Sequence, residues 1–548
     1  LLVFAVWDNV EPKLSPTESA DWSRTASARS RPLSSESGSS SAQEPWMGRL
    51  PAALVFTGLL GAVSWASAQG PSVDERINAV VTPVSHFLSG LIFASISVGE
   101  AQVPLIVVWL AVAAIVCTLS FRFVNIWGFK HGIDLVRGRY GNDADAPGMV
   151  THFQALTTAV SGTVGLGNIA GVAVALSLGG PGATFWMILV GLLSMSTKFV
   201  ECTLGVKYRR INPDGRVDGG PMFYLTRGLA EIGKAGLGRV LGPFYALCMI
   251  FASLGAGNMF QSNQAAQQII NATGGPASPL SGSAWLIGLG LALLVGAVIL
   301  GGIRAIANVT SKLVPAMAAI YIVSIILILS LNFSALPAAF SAIWQGAFAP
   351  QGIAGGFIGV MIQGMRRATF SNEAGIGSAA IAHSPVKTYR PVTEGFVALL
   401  EPFIDTVVIC TMTALALIVT GAYAQTDVAG VAMTNAAFRS VSPLLSSVLA
   451  IAVALFAFST MISYAYYGTR AVRYLLGPSE LATNLFKLVF LSFVVIGASM
   501  SLGAVVNLSD ALLFIASIPN IIGLYLLLPV VHRELESYWA DFRSGRLD

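Results

Sequence analysis

The sequence predicts an all-α polytopic membrane protein. Eleven transmembrane helices follow a signal peptide, arranged as a five-plus-five inverted repeat with broken second and seventh helices. Three observations lead there. Of 548 residues, 55% are hydrophobic and 11% charged, with mean hydropathy +0.73. A soluble domain carries about 25% charged residues, so this chain cannot cover a water-facing surface. The basic residues fall on alternate connections between apolar runs. Glycine-rich interruptions occur at matching places in two sets of five helices.

Residues 1–46 are rich in Ser, Glu, Pro and Arg without a sustained apolar period. They read as a disordered or mis-called upstream extension. Met47, Arg49, the apolar run Leu50–Trp65 and Ala66-Ser67-Ala68 before Gln69 follow the order of a signal peptide, 47–68. A retained short first membrane helix is the alternative. Residues 69–102 form an expected periplasmic segment in which Ala79–Val98 is an interfacial or re-entrant helix.

A bilayer-spanning helix needs about 20 apolar residues. The expected spans are Val103–Phe121 (peripheral), then His152–Leu178, Gly182–Val206, Val240–Gln268, Ala284–Ile303 and Ser311–Leu331 (first repeat, 152–331). The second repeat, 352–531, comprises Gly352–Ala382, Val392–Ala422, Val441–Tyr467, Leu485–Ala504 and Ser509–Val531. Residues 532–548 form a cytoplasmic tail, and Phe123–Arg139 an interfacial helix on the same side. With Gln69 outside, inner segments carry Arg122, Lys130, Arg137, Arg139, Lys207, Arg209, Arg210 and most later basic residues. Outer segments carry Arg76 and Arg439. That is the positive-inside asymmetry. It predicts a cytoplasmic C-terminus, and the expected location is a bacterial inner membrane.

The four cysteines, Cys117, Cys202, Cys248 and Cys410, lie in apolar runs with no metal-ligand spacing. They read as small buried hydrophobes. In membranes, the 56 glycines allow close helix approach and broken helices. Gly165-Leu166-Gly167-Asn168-Ile169-Ala170-Gly171 interrupts the second helix, and Glu373-Ala374-Gly375-Ile376-Gly377-Ser378-Ala379 the seventh. Interrupted helices at corresponding positions of two halves point to a transporter binding site.

These residues also resemble a known family. Ser161–Gly171, Gly179–Met187, Lys198-Phe-Val-Glu201, Gly219-Gly-Pro-Met222, Gly257–Asn263, Phe370–Ser378 and Glu401-Pro-Phe-Ile-Asp-Thr406 occur in the order and spacing of the alanine or glycine:cation symporters. The resemblance covers about Val103 to His532. It implies sodium-coupled uptake of alanine or glycine on the leucine-transporter fold, with no organic cofactor, no nucleic acid and no obligatory protein partner. Membrane lipid and the small-molecule substrate are the expected partners.

A zwitterionic amino acid needs both charges met away from water. Unwinding a helix exposes backbone N–H and C=O groups, and a half-helix N-terminus suits a carboxylate. The candidate substrate residues are therefore Thr163, Gly165, Leu166, Gly167 and Asn168. Asn258 and Gln261 share a face by i, i+3 spacing, and with Asn263 they offer uncharged amides to the ammonium. Met361 and Gln363 are expected to face the same cavity. By the resemblance, sodium is held by carbonyls of Ser161, Val164 and Ala457 and hydroxyls of Ser459 and Thr460. Met461 stands where the broader superfold often has a further hydroxyl.

Intramembrane charge is costly and tends to be functional or paired. Arg366, Arg367, Asn372 and Glu373, on the inner half of the seventh helix, are expected to form a cytoplasmic gate, with a static ion-pair network as the alternative. Glu401 and Asp405 stand i, i+4; a cation or proton relay and a helix-end hydrogen bond both fit them. No nucleotide-binding fingerprint, zinc motif or nucleophile–base constellation accompanies these features. The chain is expected to be an importer driven by an ion gradient and working by alternating access, not an enzyme. A proton-coupled carrier of the same fold is the alternative.

Overall fold

The computed structural model describes residues 72–140, 146–213, 215–300, 302–349, 355–425 and 428–544. The expected upstream extension and signal peptide lie outside them. Residues Val73–Asp548 form one compact unit. Every one of the eleven expected spans is occupied by helix. Among the described residues, seven helices are long and apolar enough to cross a membrane, and a bent pair makes an eighth.

The chain opens with α1 (Val73–Ile92), a hairpin of β1 (Ser95–Val98) and β2 (Ala101–Pro104), and α2 (Leu105–Ser120). The expected interfacial helix at Ala79–Val98 thus ends earlier and is followed by strands. The Gly99-Glu100 turn decides this: Gly99 has φ 61, and Val98 pairs with Ala101, a two-residue hairpin that favours glycine. α1 turns Asn78 and Ser85 onto carbonyls of Ser499 and Ala504. The expected cytoplasmic helix at Phe123–Arg139 is also divided. Arg122 and Phe123 have φ 49 and 60, which breaks the chain before α3 (Phe129–Val136).

α3 docks on the C-terminal helix through His131. Its ring is buried among Tyr140, Phe396, Trp539 and Phe542, and Nε2 meets the Tyr538 hydroxyl at 2.6 Å. Burial pulls the imidazole from 6.5 to about 4, so the folded chain keeps it neutral. The unfolded chain binds that proton first as pH falls. The contribution is therefore complete above about pH 6.5 and is lost progressively toward pH 4. Thermal unfolding in detergent should drop over that window, and drop less steeply in His131→Asn. Equal slopes would show that His131 is not the group responsible.

The first repeat follows. The second span is α4 (His152–Thr163) and α5 (Gly167–Gly179), bent by 50° across their break. A capping box starts α4: Thr151 accepts from Gln154 N–H, and the Gln154 side chain accepts from Thr151 N–H. α6 (Ala183–Lys207), α7 (Ala235–Ala272), α8 (Ala284–Ile299) and α9 (Gly302–Leu331) complete the repeat. α10 (Leu336–Phe348) stands where the sequence predicts only an outer connection. It buries Ala339, Ile343 and Ala347 and exposes Phe340 and Trp344. At 13 residues it is too short to register as a span.

In the second repeat the seventh span is α11 (Gly356–Asn372) and α12 (Ser378–His383). α13 (Pro391–Val419), the unpredicted α14 (Val431–Val441) and α15 (Pro443–Leu476) follow. The chain closes with α16 (Glu480–Ala498), α17 (Leu502–Phe514) and α18 (Ser517–Arg543). α6 lies at the centre, packed against α2, α11, α12 and α13. Close approach there rests on small residues. A Cβ on Gly395 would meet Thr203 Oγ1 at 2.1 Å, and one on Gly257 would meet the Tyr464 ring at 1.9 Å, so neither site admits alanine without moving a helix.

Candidate binding site at the broken helices

α4 stops because Val164 leaves helical geometry (ψ 82). The N–H groups after it then need partners away from water. Gly165 N–H donates to Asn168 Oδ1 at 3.0 Å, and Leu166 N–H donates to Gln261 Oε1 at 3.0 Å. The helix resumes with a π-helical turn over Gly167–Gly171. Gly165 is required by space: a Cβ there would stand 2.4 Å from Thr460 Oγ1 and 3.0 Å from Gln261 Oε1. All residues from Thr158 to Val172 are buried.

The second break is held differently. Glu373, Gly375 and Gly377 have φ 56, 87 and 88, a left-handed run that ends α11. Asn372 Oδ1 accepts from Ala374 N–H at 3.0 Å. Gly375 N–H donates to Glu201 Oε1 at 3.0 Å, and its carbonyl accepts from Asn520 Nδ2 at 2.9 Å. Asn520 Nδ2 also donates to Glu201 Oε1 at 2.7 Å, and its Oδ1 accepts from Tyr224. The sequence alone does not single out Asn520 or Tyr224. Their partners lie 145 and 296 positions away.

A hydrogen-bonded bridge joins the two breaks. Asn168 Nδ2 donates to Asp405 Oδ1 at 2.6 Å and to the Asp405 carbonyl at 3.0 Å. Thr406 Oγ1 donates to Asp405 Oδ2 at 2.7 Å and accepts from Asn372 Nδ2 at 3.1 Å. Asp405 and Thr406 lie in a π-helical stretch of α13, Phe403–Cys410, a local form frequent at functional sites. The bridge therefore runs Gly165, Asn168, Asp405, Thr406, Asn372, Ala374. Asp405 is wholly buried, and no Lys, Arg or His pairs with it among the described residues' ion pairs. Glu401, one turn earlier, has a different fate: Lys198 Nζ meets its Oε1 at 3.0 Å.

The hydroxyl cluster expected for sodium is assembled around Ser161. Its carbonyl accepts from Thr460 Oγ1 at 3.0 Å and Ser459 Oγ at 3.3 Å. Its own hydroxyl donates to the Ser459 carbonyl at 2.8 Å. Ser463 adds a contact to Ser161 Oγ at 3.0 Å. Ser463 is not among the residues expected from the sequence; its signal there is the position Ser459 plus four, on the same helix face. Ala457 lies three residues before Thr460 on α15, buried like Val164.

Other expected residues go elsewhere. Asn258 Nδ2 donates to the Phe490 carbonyl at 2.6 Å. Asn263 Nδ2 donates to carbonyls of Gly497 and Met500 at 3.0 and 2.6 Å. Asn258 fastens α7 to the middle of α16 and Asn263 fastens it to the end, and of the three amides only Gln261 reaches the break. Met361 packs in an apolar cluster with Val172, Ala183 and Trp186, and the Gln363 side chain lies against Gly179. Thr163 Oγ1 turns back to the Ala159 carbonyl at 3.3 Å, as threonines in helices do. Gly167 packs on Ser371 and Phe370.

The expected gate is divided. Arg366 meets Asp510 Oδ2 at 2.7 Å and stacks 4.0 Å from the Phe93 ring centre. Arg367 pairs with the same oxygen. Glu373 instead accepts from Ser378 Oγ, and Asn372 belongs to the bridge. The arginines therefore stand before the break, beside Phe93 and Asp510, while Glu373 lies at the break itself. Helix position alone misleads here, because the pairing partner comes from α17.

The model of the sodium:alanine symporter family matches residues 92–548. The chain is 38% identical over 439 residues to the sodium/alanine symporter AgcS of Methanococcus maripaludis, covering 79% of this chain and 94% of the relative. Two Bacillus subtilis proteins are also similar. The putative sodium/proton-dependent alanine carrier protein YrbD is 33% identical over 488 residues, with 86% and 92% covered. The probable sodium/glutamine symporter GlnT is 31% identical over 444 residues, with 81% and 89% covered. Among solved structures, MhsT in complex with L-phenylalanine superposes with TM-score 0.50 at 14% identity, covering 72% of this chain and 99% of that one. That likeness concerns the fold, the one adopted by leucine-transporter-like carriers.

Proposed function

Because the chain belongs to the sodium:alanine symporter family, a family of multi-pass membrane transporters and not of enzymes, we propose that it imports alanine, glycine or both together with sodium by alternating access. The observation that carries this reading is the bridge from Gly165 through Asn168 and Asp405 to Asn372. Backbone N–H groups at the first break are held by two amide oxygens, Asn168 Oδ1 and Gln261 Oε1. A substrate carboxylate is a stronger acceptor for the same N–H groups. An incoming carboxylate at Gly165 would displace Asn168 Oδ1 and so act on Asp405 and, through Thr406, on the second break.

Sodium takes hard oxygen ligands. Ser161, Val164, Ala457, Ser459 and Thr460 supply them between α4 and α15, so an ion there ties the first broken helix to the second repeat. Asp405, with Asn168 and Thr406, offers a carboxylate in the bridge itself. Coupling requires that each ligand favour the same conformation, and Asn168, touching break and carboxylate alike, is where substrate and ion would communicate. Thr460→Val removes one hydroxyl and keeps its volume. Its half-saturating sodium concentration should rise about tenfold, the loss of one hydrogen-bond-scale contact, with little change in folding. A sodium response equal to wild type would remove Thr460 from the ion site.

The test of the reading is uptake of labelled alanine and of glycine into proteoliposomes, with an inward sodium gradient or with choline in place of sodium. Uptake that collapses in choline supports the proposal. Sodium-independent uptake would transfer coupling to protons, and no uptake of either amino acid by folded protein would remove the substrate assignment.

A further inference from the structure

One array of buried ionisable groups has no part in the site above. It starts at His152, the first residue of α4, whose side chain is 17% exposed. His152 lies two residues after Val150, which pairs with Val386 and whose carbonyl accepts from Lys387 N–H. This is the basic face, the inner one by the positive-inside rule. His152 Nδ1 hydrogen-bonds Glu394 Oε2. Glu394 Oε1 meets His383 Nδ1 at 2.5 Å. His383 Nε2 faces Glu401 Oε2 at 3.8 Å, and Glu401 Oε1 pairs with Lys198 at 3.0 Å. Beyond His152, every side chain in the array is 0% exposed.

Burying four ionisable groups is expensive, and packing does not require it: apolar residues fill comparable positions throughout this core. The groups also alternate, imidazole with carboxylate. An imidazole accepts a proton on one nitrogen and releases one from the other, and a carboxylate does so through its two oxygens. Each internal member presents a different atom to each neighbour. That is the arrangement a proton relay requires, and a purely electrostatic cluster has no need of it.

The interval of 3.8 Å is the one place where the array is open. His383 Nε2 and Glu401 Oε2 are both buried, face each other, and lack a hydrogen-bond partner among the described residues. A movement of about 1 Å would bring them to hydrogen-bond distance. His383 ends α12, and Glu401 lies on α13. The interval therefore spans the broken seventh helix and its neighbour, two elements whose relative motion alternating access requires.

We infer that His152, Glu394, His383 and Glu401 form a proton path from the inner face to Lys198, open at His383–Glu401 in this conformation and closed by movement of α12. A proton from water binds His152 Nε2, and the Nδ1 proton passes to Glu394 Oε2. The proton shared by Glu394 Oε1 and His383 Nδ1 settles on the imidazole. The His383 Nε2 proton then passes to Glu401 Oε2. The array gains one proton and one positive charge, both accounted for at Glu401, which becomes neutral. Return runs the same transfers in reverse.

Neutral Glu401 no longer holds Lys198. The ammonium is then left within electrostatic reach of Glu201 and Glu373, and Glu201 Oε1 is the acceptor of Gly375 N–H. Protonation from the inner face thereby acts on the second break. Other titratable groups facing the array are Cys202 from α6 and Tyr467 from α15. Asp405 lies one turn beyond Glu401. Arg209 acts on Glu394 while its guanidinium donates to carbonyls of Pro147, Ser384, Val386 and Thr388. It pins the loop beside His383 and is not itself part of the path.

The path is tested on the full chain in detergent, without sodium or amino acid, by time-resolved infrared spectroscopy after a jump from about pH 8 to about pH 6, the range in which imidazole titrates. A buried protonated-carboxyl band should rise, and Glu401→Gln should remove it. His383→Gln and His152→Gln should each slow its rise at least about tenfold, the scale of a lost proton-transfer group. His152 sits at the rim, so its variant decides the matter if His383→Gln fails to fold. No band in wild type, a band unchanged in Glu401→Gln, or a wild-type rate in His152→Gln would each overturn the path. None of these readouts involves transport, so their failure is separate from failure of sodium-coupled uptake.

Discussion

Asn168→Ala is expected to abolish coupled uptake while leaving the chain folded, and to weaken sodium and alanine binding together. Asn168 Oδ1 accepts from Gly165 N–H and its Nδ2 donates to Asp405. Truncation therefore strands a backbone donor at the break and removes a charge-assisted bond to a buried carboxylate. Hydrogen bonds to charged groups are each worth about 1.5–3 kcal/mol, which corresponds to about a 10- to 100-fold loss in affinity. Both ligands should shift because one side chain serves both ends of the bridge. Binding followed by isothermal titration in detergent, sodium alone and then alanine at saturating sodium, gives the two affinities separately. Loss of alanine affinity with sodium affinity untouched would show that Asn168 belongs to the substrate and not to the coupling.

The second large effect is expected at Asp510. One carboxylate answers two guanidinium groups, and Asp510 itself is fully buried, with Arg367 2% exposed. Removing one partner of a buried ion pair costs about 3–5 kcal/mol, because the other charge is left without compensation. Asp510→Ala should therefore lower thermal stability more than any single change at the bridge. Arg366→Gln should cost much less, since that side chain is 18% exposed and Arg367 retains the carboxylate. Arg366 also covers Phe93, so this variant should loosen the hairpin side and raise labelling of a cysteine introduced beneath it. Equal melting temperatures for Asp510→Ala and wild type would mean that the ion pair contributes nothing net. Unchanged labelling in Arg366→Gln would mean that the pair does not close that side.

Much of this protein was legible before any coordinate. Composition, the eleven apolar segments and the two glycine interruptions follow from local chemistry: a helix in lipid must be apolar along its length, and a break needs residues that tolerate left-handed backbone or close approach. The motif around Gly165 and Asn168 marked the first break because it is contiguous in the chain, and the family resemblance marked the pair Ser459 and Thr460. Elements that depend on a turn fared less well. The hairpin at Ser95–Pro104 and the helices Leu336–Phe348 and Val431–Val441 lie in connections whose apolar runs are too short to register against the spans beside them.

What only the tertiary structure decided is partnership. Two carboxylates one turn apart on α13, Glu401 and Asp405, read alike along the chain. In the fold one meets Lys198 and the other Asn168. Arg367 and Glu373 stand six positions apart yet take different partners, Arg367 with Asp510 and Glu373 with Ser378. Asn258 and Asn263 resemble Gln261 in chemistry but face α16, while Gln261 faces the break. The reason is physical. Apolar periodicity reports which residues avoid water, and that is a property of the segment. The cost of a buried polar group is set by the atom opposite it, and for Glu401 and Asp405 that atom comes from a helix 203 and 237 residues away, respectively.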